Sequence, residues 1–562
     1  MQELRRALVS ALAEATGLDP VQVEGLVTLP RNPEHGDLAF PCFALAKARK
    51  QNPVQAAADL ARALALPSGF AAAEAVGPYL NLRFDRAAFV ERVVSKVLAE
   101  GERYGAGPAG GSTVVVDFSS PNIAKPFHVG HLRSTLIGWS LVRILRFLGH
   151  RVVGINHLGD WGTQFGYVWV GCSRWGRPAA DDADPISTLV DRYVRATALK
   201  EEDPAVEEAA RDFFRRLEAG DAEATEFWEY ARTVSLEEFK TLYERIGIRF
   251  DAFTGEAFFN DKMDATIADV VAKGIGTVSE GAFGVDLGED LGFALLRKAD
   301  GATLYLTRDL TAVDYRFRTY GFDRVLYVVG APQSLHFRQL KALCARLGKP
   351  YAESIVHVPF GHVHGMSTRS GGAVPLKDFL DEAVDRALTA FREEVTKRPE
   401  GLDEREVAER IALSAIIFND LARGRIKDVT FDWDQALSFR GDTGPYLQYA
   451  HARINGIALK AGAELPETVD GGRLPEDEAY QLAVQMSLFH EAVARAAESH
   501  EPSAVSAYLL ELARAFSRAN EVLRVKDAPA EVKNHRFALF VACRQVLASG
   551  LRLLGIDPID RM

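Results

Sequence analysis

Two histidines spaced H-x-G-H, His128 and His131, are the residues whose type and spacing most directly suggest chemistry in this chain. Two imidazoles one helical turn apart can both donate hydrogen bonds to the oxygens of a reacting α-phosphate and so stabilise its transition state. Gly130 between them lets a flat adenine approach the backbone without meeting a Cβ. With 13 His and 46 Gly in 562 residues, about 0.02 such matches are expected by chance. The competing reading is a capping His128 and a surface His131.

The elements that must position the pair favour the chemical reading. Val114 to Asp117 read as a buried strand before it. Leu132, Leu136, Ile137, Leu141, Ile144, Leu145 and Leu148 then recur at three- and four-residue steps, which is helical spacing. Gly149 follows as a C-terminal cap, and Val152 and Val153 resume an extended pattern. The unit is β-turn-α-β with both histidines at the helix N-terminus. Free backbone N–H groups and the positive end of the helix dipole favour a phosphate there.

A chain of 562 residues exceeds one hydrophobic core and predicts about three domains. Apolar content of 48% and charged content of 25% are ordinary for a globular protein. No run of about 18 apolar residues is present, so no membrane span is expected. The N-terminal stretch lacks the apolar core of a signal peptide. Cys42, Cys172, Cys344 and Cys543 form no C-x-x-C pair and no zinc spacing, which predicts a reduced, cytosolic protein. The net charge of −11 argues against unspecific coating of nucleic acid but leaves room for a local basic surface.

Residues 1–108 read as a small α+β module, with helical patterns at 2–16 and 53–65 and a strand over 79–84. It ends in a glycine-rich linker, 105–111, whose G-x-G-x-x-G frame precedes a strand, whereas a dinucleotide fingerprint follows one. Residues 109–375 read as a Rossmann-like parallel-sheet domain, with buried strands over 325–329 and 355–358 and a charge-rich helical insertion at about 186–246. Residues 376–562 are helical almost throughout. Apolar stripes over 477–498, 503–521 and 535–554 suggest a bundle, and a helix start is marked at 441–445.

At this point the residues resemble the class I aminoacyl-tRNA synthetases and, within them, the arginyl-tRNA synthetases. Residues 128–131 resemble the first class I signature. The run 119–127 before them, and the blocks 156–166, 305–309 and 441–451, are similar to further family motifs in the same order. The likeness spans essentially the whole chain. It implies a multidomain α/β protein: a catalytic Rossmann domain, an α+β N-terminal domain that meets the tRNA D-loop, and an all-α domain that binds the anticodon. It also implies an arginine–tRNA ligase. Arginine attacks the α-phosphate of ATP carried with Mg²⁺, and the arginyl group passes from the adenylate to tRNA(Arg). A cytoplasmic monomer, with no membrane or DNA partner, is the family expectation.

The resemblance assigns catalysis to His128, His131 and Lys125. It assigns ATP binding to Pro121, Asn122, Ile123, Ala124, Lys125, Pro126, Phe127, His128, Val129, Gly130 and His131, together with Met366, Ser367, Thr368 and Arg369. The last four occupy the second signature loop, where this chain departs from the pattern because both lysines are missing. Lys125 is the implied substitute, with Arg369 assisting; the competing reading is a surface lysine. Asp117, Asn122, Tyr305, Asp309 and Gln333 are implied to bind arginine, although Asp309 also reads as an N-cap for a helix beginning near Leu310. Tyr79 and Asn81, two apart on a strand and therefore on one face, are implied to meet an exposed tRNA base. Tyr446, Gln448 and Tyr449 are implied at the anticodon; aromatics at this spacing also suit a core. His357, His362 and His364 lack ligand spacing, so no protein-bound metal is expected. Two other functions compete: an RNA-independent H-x-G-H nucleotidylyltransferase, and a catalytically inactive RNA-binding paralogue.

Overall fold

The computed structural model describes residues 2–562 except 31, 124, 126, 180, 183, 300, 365–373 and 397. Its centre is an all-parallel sheet of β1 (Thr113–Asp117), β2 (Arg151–Asn156), β3 (Ala252–Phe253), β4 (Arg324–Gly330) and β5 (Ile355–Phe360). The spatial order is β5-β4-β1-β2-β3. Val114, Val115 and Val116 are all buried because helices cover both faces, which is why β1 reads as a continuous apolar run and not an alternation. Strand order reverses at β1, with β2 on one side and β4 on the other. Such a switch point places ligands beyond the carboxyl ends of the strands.

The histidine helix, Val129–Phe147, connects β1 to β2. It is buried on almost every side, between the sheet and helices of the C-terminal region. Leu148 is the C-cap, and Gly149 follows with φ of +87°. A Cβ at Gly149 would stand 1.9 Å from the Pro108 carbonyl oxygen. Glycine is therefore required twice, by the left-handed turn and by the linker crossing over it.

The expected insertion comprises helices Pro185–Leu199, Pro204–Glu218 and Ala222–Arg245. Each is capped by an aspartate side chain, from Asp184, Asp203 and Asp221. Beyond it lies an antiparallel sheet of Thr277–Ser279, Ala282–Asp286 and Phe293–Arg297, absent from the sequence-based expectation. Its strands are short and half-exposed, so they carry little hydrophobic signal.

The N-terminal region pairs Leu38–Pro41, Tyr79–Phe84 and Phe70–Val76 into an antiparallel sheet with Tyr79–Phe84 in the middle. From Leu376 onward the chain is mainly helical. The apolar stripe over 477–498 is carried by two helices, Asp477–Ser487 and Phe489–Ser499. Helix Gly444–Ala461 starts where anticipated, capped by Thr443 with proline in its first turn. Helix Ala530–Leu554 is long and apolar enough to cross a membrane, but 72% of its apolar 18-residue window is buried in the molecule, as in the core helix of a bundle.

Gly149→Ala is expected to lower the stability of the sheet region by about 2 kcal/mol or more, from φ strain and the backbone collision together. Thermal melting followed by circular dichroism checks this; an unchanged midpoint would mean that the turn relaxes freely.

Candidate active site

The histidines sit at the helix start in a reciprocal cap. His128 is the N-cap residue, and its Nδ1 accepts from the Gly130 N–H at 3.0 Å. The Nδ1 of His131 accepts from the His128 N–H at 3.4 Å. The competing capping reading is thus also true of the fold. An imidazole that accepts at Nδ1 carries its proton at Nε2, so both rings retain an Nε2–H donor. The ring centroids are 4.0 Å apart. Burial, then the mutual charge of the pair, lowers the His131 pKa to about 3, while burial and Lys125 lower that of His128. Both are neutral donors at physiological pH. A Cβ on Gly130 would lie 2.7 Å from Cε1 of His128, so glycine gives the folded-back ring its room.

The turn between β1 and this helix is held by a buried polar network. Ser119 and Ser120 both adopt positive φ, 75° and 51°, a sparsely populated conformation for residues with a Cβ. Ser119 Oγ lies 2.6 Å from the Tyr243 hydroxyl and accepts from Thr135 Oγ1 at 2.8 Å. Asn156 Nδ2 donates to the same tyrosine oxygen at 2.9 Å. Ser134 Oγ ties the turn to β4 by accepting from the Ser119 N–H and donating to the Val328 carbonyl. The next residues pair with the block after β2: Ile123 N–H donates to the Gly159 carbonyl, and Gly159 N–H to that of Pro121, each at 3.0 Å. Asn122 Oδ1 lies where a Cβ on Gly159 would be, 2.2 Å away, which explains the glycine. Phe127 is stacked on His131 and packs against Phe239 and Tyr243 of the insertion. The ammonium of Lys125 lies 5.9 Å from the centroid of the Tyr193 ring, also in the insertion. Ala124, Pro126, Met366, Ser367, Thr368 and Arg369 lie outside the described residues.

A second cluster forms where β1 and β4 end. Asp117 is buried, with Oδ2 2.8 Å from Nη1 of Arg316 and Oδ1 accepting from Ser120 Oγ at 3.2 Å. Part of its capacity is therefore spent on a guanidinium of the chain itself. Asp309 is not an N-cap: its helix, Tyr305–Tyr320, begins four residues earlier with Leu304 as the cap. Its Oδ2 lies 2.6 Å from Nε2 of His336. Burial raises the Asp309 pKa, but the His336 hydrogen bond and charge prevail and hold it below the usual value. Glu256 lies close enough to feel Asp160 and Asp309, and burial pushes its carboxyl up to about 7 against the pull of Arg308. Tyr305 is 68% exposed at the helix start. Gln333 stands exposed at the N-cap position of helix Ser334–Arg346 without a side-chain capping bond, at the end of the short 3-10 turn Ala331–Gln333 that follows β4.

Sequence reading missed Tyr243, His336, Arg316 and Glu256. Asp309 and Arg316 are seven apart and so share a helix face, and His336 follows a buried strand at the switch point; these signals were legible. Nothing local marked Tyr243, 124 residues from its serine.

The expected RNA contacts divide. Tyr79 is 41% exposed and packs edge-on against Phe43. Asn81 is only 3% exposed, because it occupies the middle of the central strand between Ala39 and Glu74. A shared face did not give shared access. Tyr449 is exposed and Tyr446 half-buried. Gln448 is fully buried: its Nε2 donates to the Asp557 carbonyl and its Oε1 accepts from the Ile559 N–H, both at 2.8 Å. Both bonds fasten the C-terminal segment. His357 Nε2 donates to the Val329 carbonyl at 2.9 Å, and His364 pairs with Asp428 at 3.1 Å. Among the described residues no three His, Cys, Asp or Glu side chains are grouped to hold a metal.

A parallel sheet with a histidine-capped helix at its switch point is the architecture of a class I tRNA synthetase. Residues 93–433 match the family described as "tRNA synthetases class I (R), catalytic domain". Residues 2–84 match the arginyl-tRNA synthetase N-terminal domain and 447–562 the DALR anticodon-binding domain. The chain belongs to the arginyl-tRNA synthetase family. It is 41% identical to an arginine–tRNA ligase of Clostridium perfringens, with 100% of both chains covered. It is 42% identical to that of an Exiguobacterium species, over 99% of this chain and 98% of the relative. The solved Thermus thermophilus arginyl-tRNA synthetase superposes with a TM-score of 0.82 at 27% identity, covering 100% of both chains.

The depressed histidine values fix a sign. A histidine neutral in the fold and of pKa 6.5 when unfolded stabilises the fold above pH 6.5, and that contribution is lost as pH falls toward the folded value of about 3. His131 itself stays uncharged from about pH 8 to about pH 6, a range in which an unperturbed histidine titrates, so its protonation should leave turnover unchanged there. An acid limb near 6.5 that disappears in His131→Asn would show that the pair titrates normally.

Proposed function

We propose that this chain is an arginine–tRNA ligase whose activation step is run by the neutral His128–His131 pair. The carboxylate of L-arginine attacks the α-phosphorus of ATP, the bond to the bridging β-phosphate oxygen breaks, and diphosphate leaves arginyl-adenylate behind. A ribose hydroxyl of the terminal adenosine of tRNA(Arg) then attacks the arginyl carbonyl and AMP departs. The observation that supports this reading is the reciprocal cap. With both Nδ1 atoms committed to backbone amides, two Nε2–H groups at a helix N-terminus are left to meet the charge that develops on the phosphate.

Lys125, whose charge both histidines feel, supplies the ammonium for the phosphates on this reading. Residues 121–131 form the wall of the ATP site, and Met366, Ser367, Thr368 and Arg369 contribute from the second signature. Mg²⁺ arrives on the phosphates as part of the substrate. Asp309 and its neighbour Glu256 offer carboxylates to the planar guanidinium fork, with Tyr305 and Gln333 at the rim; Asp117 and Asn122 take the α-amino end. Tyr79 stacks on an exposed tRNA base without help from Asn81, and Tyr446 and Tyr449 serve the anticodon. The division into 1–108, 109–375 and 376–562 assigns the D-loop, the chemistry and the anticodon respectively. A monomer in a reducing cytoplasm suits four free, buried cysteines.

Exchange of labelled diphosphate into ATP, run with each amino acid with and without tRNA(Arg), tests the reading. Exchange with arginine alone among the amino acids, and only with cognate tRNA, is the expected result. Silence under every condition would leave an inactive RNA-binding protein, and tRNA-independent adenylation of another small molecule would leave a nucleotidylyltransferase. His131→Ala should lower turnover by about 10²-fold or more while weakening ATP binding far less, since its hydrogen bond strengthens in the transition state. Equal losses in both would make His131 a ground-state ligand.

A further inference from the structure

Arg133, two residues beyond His131, is 2% exposed, and its Nε lies 3.1 Å from Oδ1 of Asp420. Asp420 belongs to helix Glu404–Leu421 of the C-terminal region. The Nη1 of Arg133 also donates to the carbonyls of Gly361 at 3.0 Å and His362 at 3.1 Å. Those carbonyls follow β5 directly and lead toward residues 365–373. On the far side of that segment the chain returns to the same helix start: Val129 N–H donates to the Val374 carbonyl at 3.1 Å, and Leu376 N–H to that of Phe127 at 2.8 Å. One guanidinium thus joins the histidine helix, the chain running into the second signature, and a helix of the C-terminal region.

The Asp420 helix is seated in turn on the helix that carries Tyr446 and Tyr449. A Cβ on Gly444, the first residue of that helix, would stand 2.1 Å from the Ser414 carbonyl oxygen, so the two backbones touch. The ion pair itself is incompletely satisfied. Among the described residues neither Asp420 oxygen accepts a well-aligned hydrogen bond, and Nε and Nη2 of Arg133 have no such acceptor. Burial pushes the Asp420 carboxyl up to about 7, with Arg133 pulling it down. A buried pair in that condition adds little stability compared with an apolar contact of the same volume. Its position, at the junction of three elements, suggests a different use.

We propose that Arg133 and Asp420 are a positioning pair that couples the C-terminal helices to the catalytic histidines, so that tRNA seated on those helices sets the helix start for adenylate formation. This rests on the reading of the chain as an arginine–tRNA ligase. Neither residue touches a substrate; both act through the placement of His128 and His131.

The test uses the full chain and two variants, the isosteric Asp420→Asn and the double Arg133→Met/Asp420→Leu, which removes both charges at similar volume. Melting, tRNA(Arg) affinity, the KM for ATP, and the turnover of arginine-dependent diphosphate exchange with saturating tRNA are measured for each. The expected result is a tRNA Kd and an ATP KM within about twofold of the parent, with turnover down about tenfold or more in both variants, a typical coupling between sites. A double variant that recovers stability and turnover together would make the pair purely structural and overturn the proposal. So would a turnover loss matched by a loss of tRNA affinity. If the double variant fails to fold, Asp420→Asn decides alone: unchanged turnover refutes the coupling. A parent inactive with arginine and tRNA overturns the functional reading and this inference with it, whereas an active parent with undisturbed variants overturns the inference only.

Discussion

Where the histidine helix begins, its first amides would be unpartnered, and the chain answers them with imidazole nitrogens in place of the usual hydroxyl or carboxylate. A serine cap would contribute about 1 kcal/mol of helix stability and nothing else. An imidazole accepts at one nitrogen and donates at the other. Satisfying the helix therefore fixes the tautomer, and fixing the tautomer aims the remaining proton outward. The rest of the site preserves this arrangement. Gly130 makes room for the ring, Phe127 packs on its partner, and burial keeps both rings uncharged.

The charges around the pair follow a consistent logic. Buried arginines are matched to buried carboxylates: Arg316 to Asp117, Arg133 to Asp420, and Arg308 to Glu256. Such pairs are costly to bury and damaging to break, so they specify geometry more than they stabilise. Each resident guanidinium also takes up negative charge that its carboxylate would otherwise present to other neighbours. Asp117 has already given one oxygen to Arg316, whereas Asp309 faces a histidine.

The parallel sheet, the histidine helix, the insertion and the helical region were legible because each has a strong period or a capping signal. β1 is apolar on both faces, the insertion helices open on aspartates, and Gly149 must be left-handed. The small antiparallel sheet at 277–297 was not legible, because its short strands bury little. Within the site, residues in or next to the family-like blocks, Asp117, Tyr305 and Asp309 among them, were named from the sequence, whereas Tyr243, which lies in no such block and meets its serine only through the fold, was not. Asn81 and Gln448 show the limit from the other side. A strand period and a motif match identify the residue but not its accessibility, which neighbouring strands and the C-terminal segment decide.

The turn that carries the histidines is complete in sequence by residue 131, but it is braced by Tyr243, which comes 124 residues after Ser119. At ribosomal speeds of about 5–20 residues per second, roughly 6–25 s separate the synthesis of the two. During that interval Ser119 has the Thr135 and Ser134 hydroxyls but not that of Tyr243 to hold its left-handed conformation, and Phe127 lacks the insertion rings against which it packs. The nascent chain thus carries its reactive motif long before it carries the scaffold that gives the motif its shape. The insertion, which looks like a surface excursion from the sheet, is a later-made partner of the turn: the helix bearing Tyr243 extends a contact set that the earlier chain only begins.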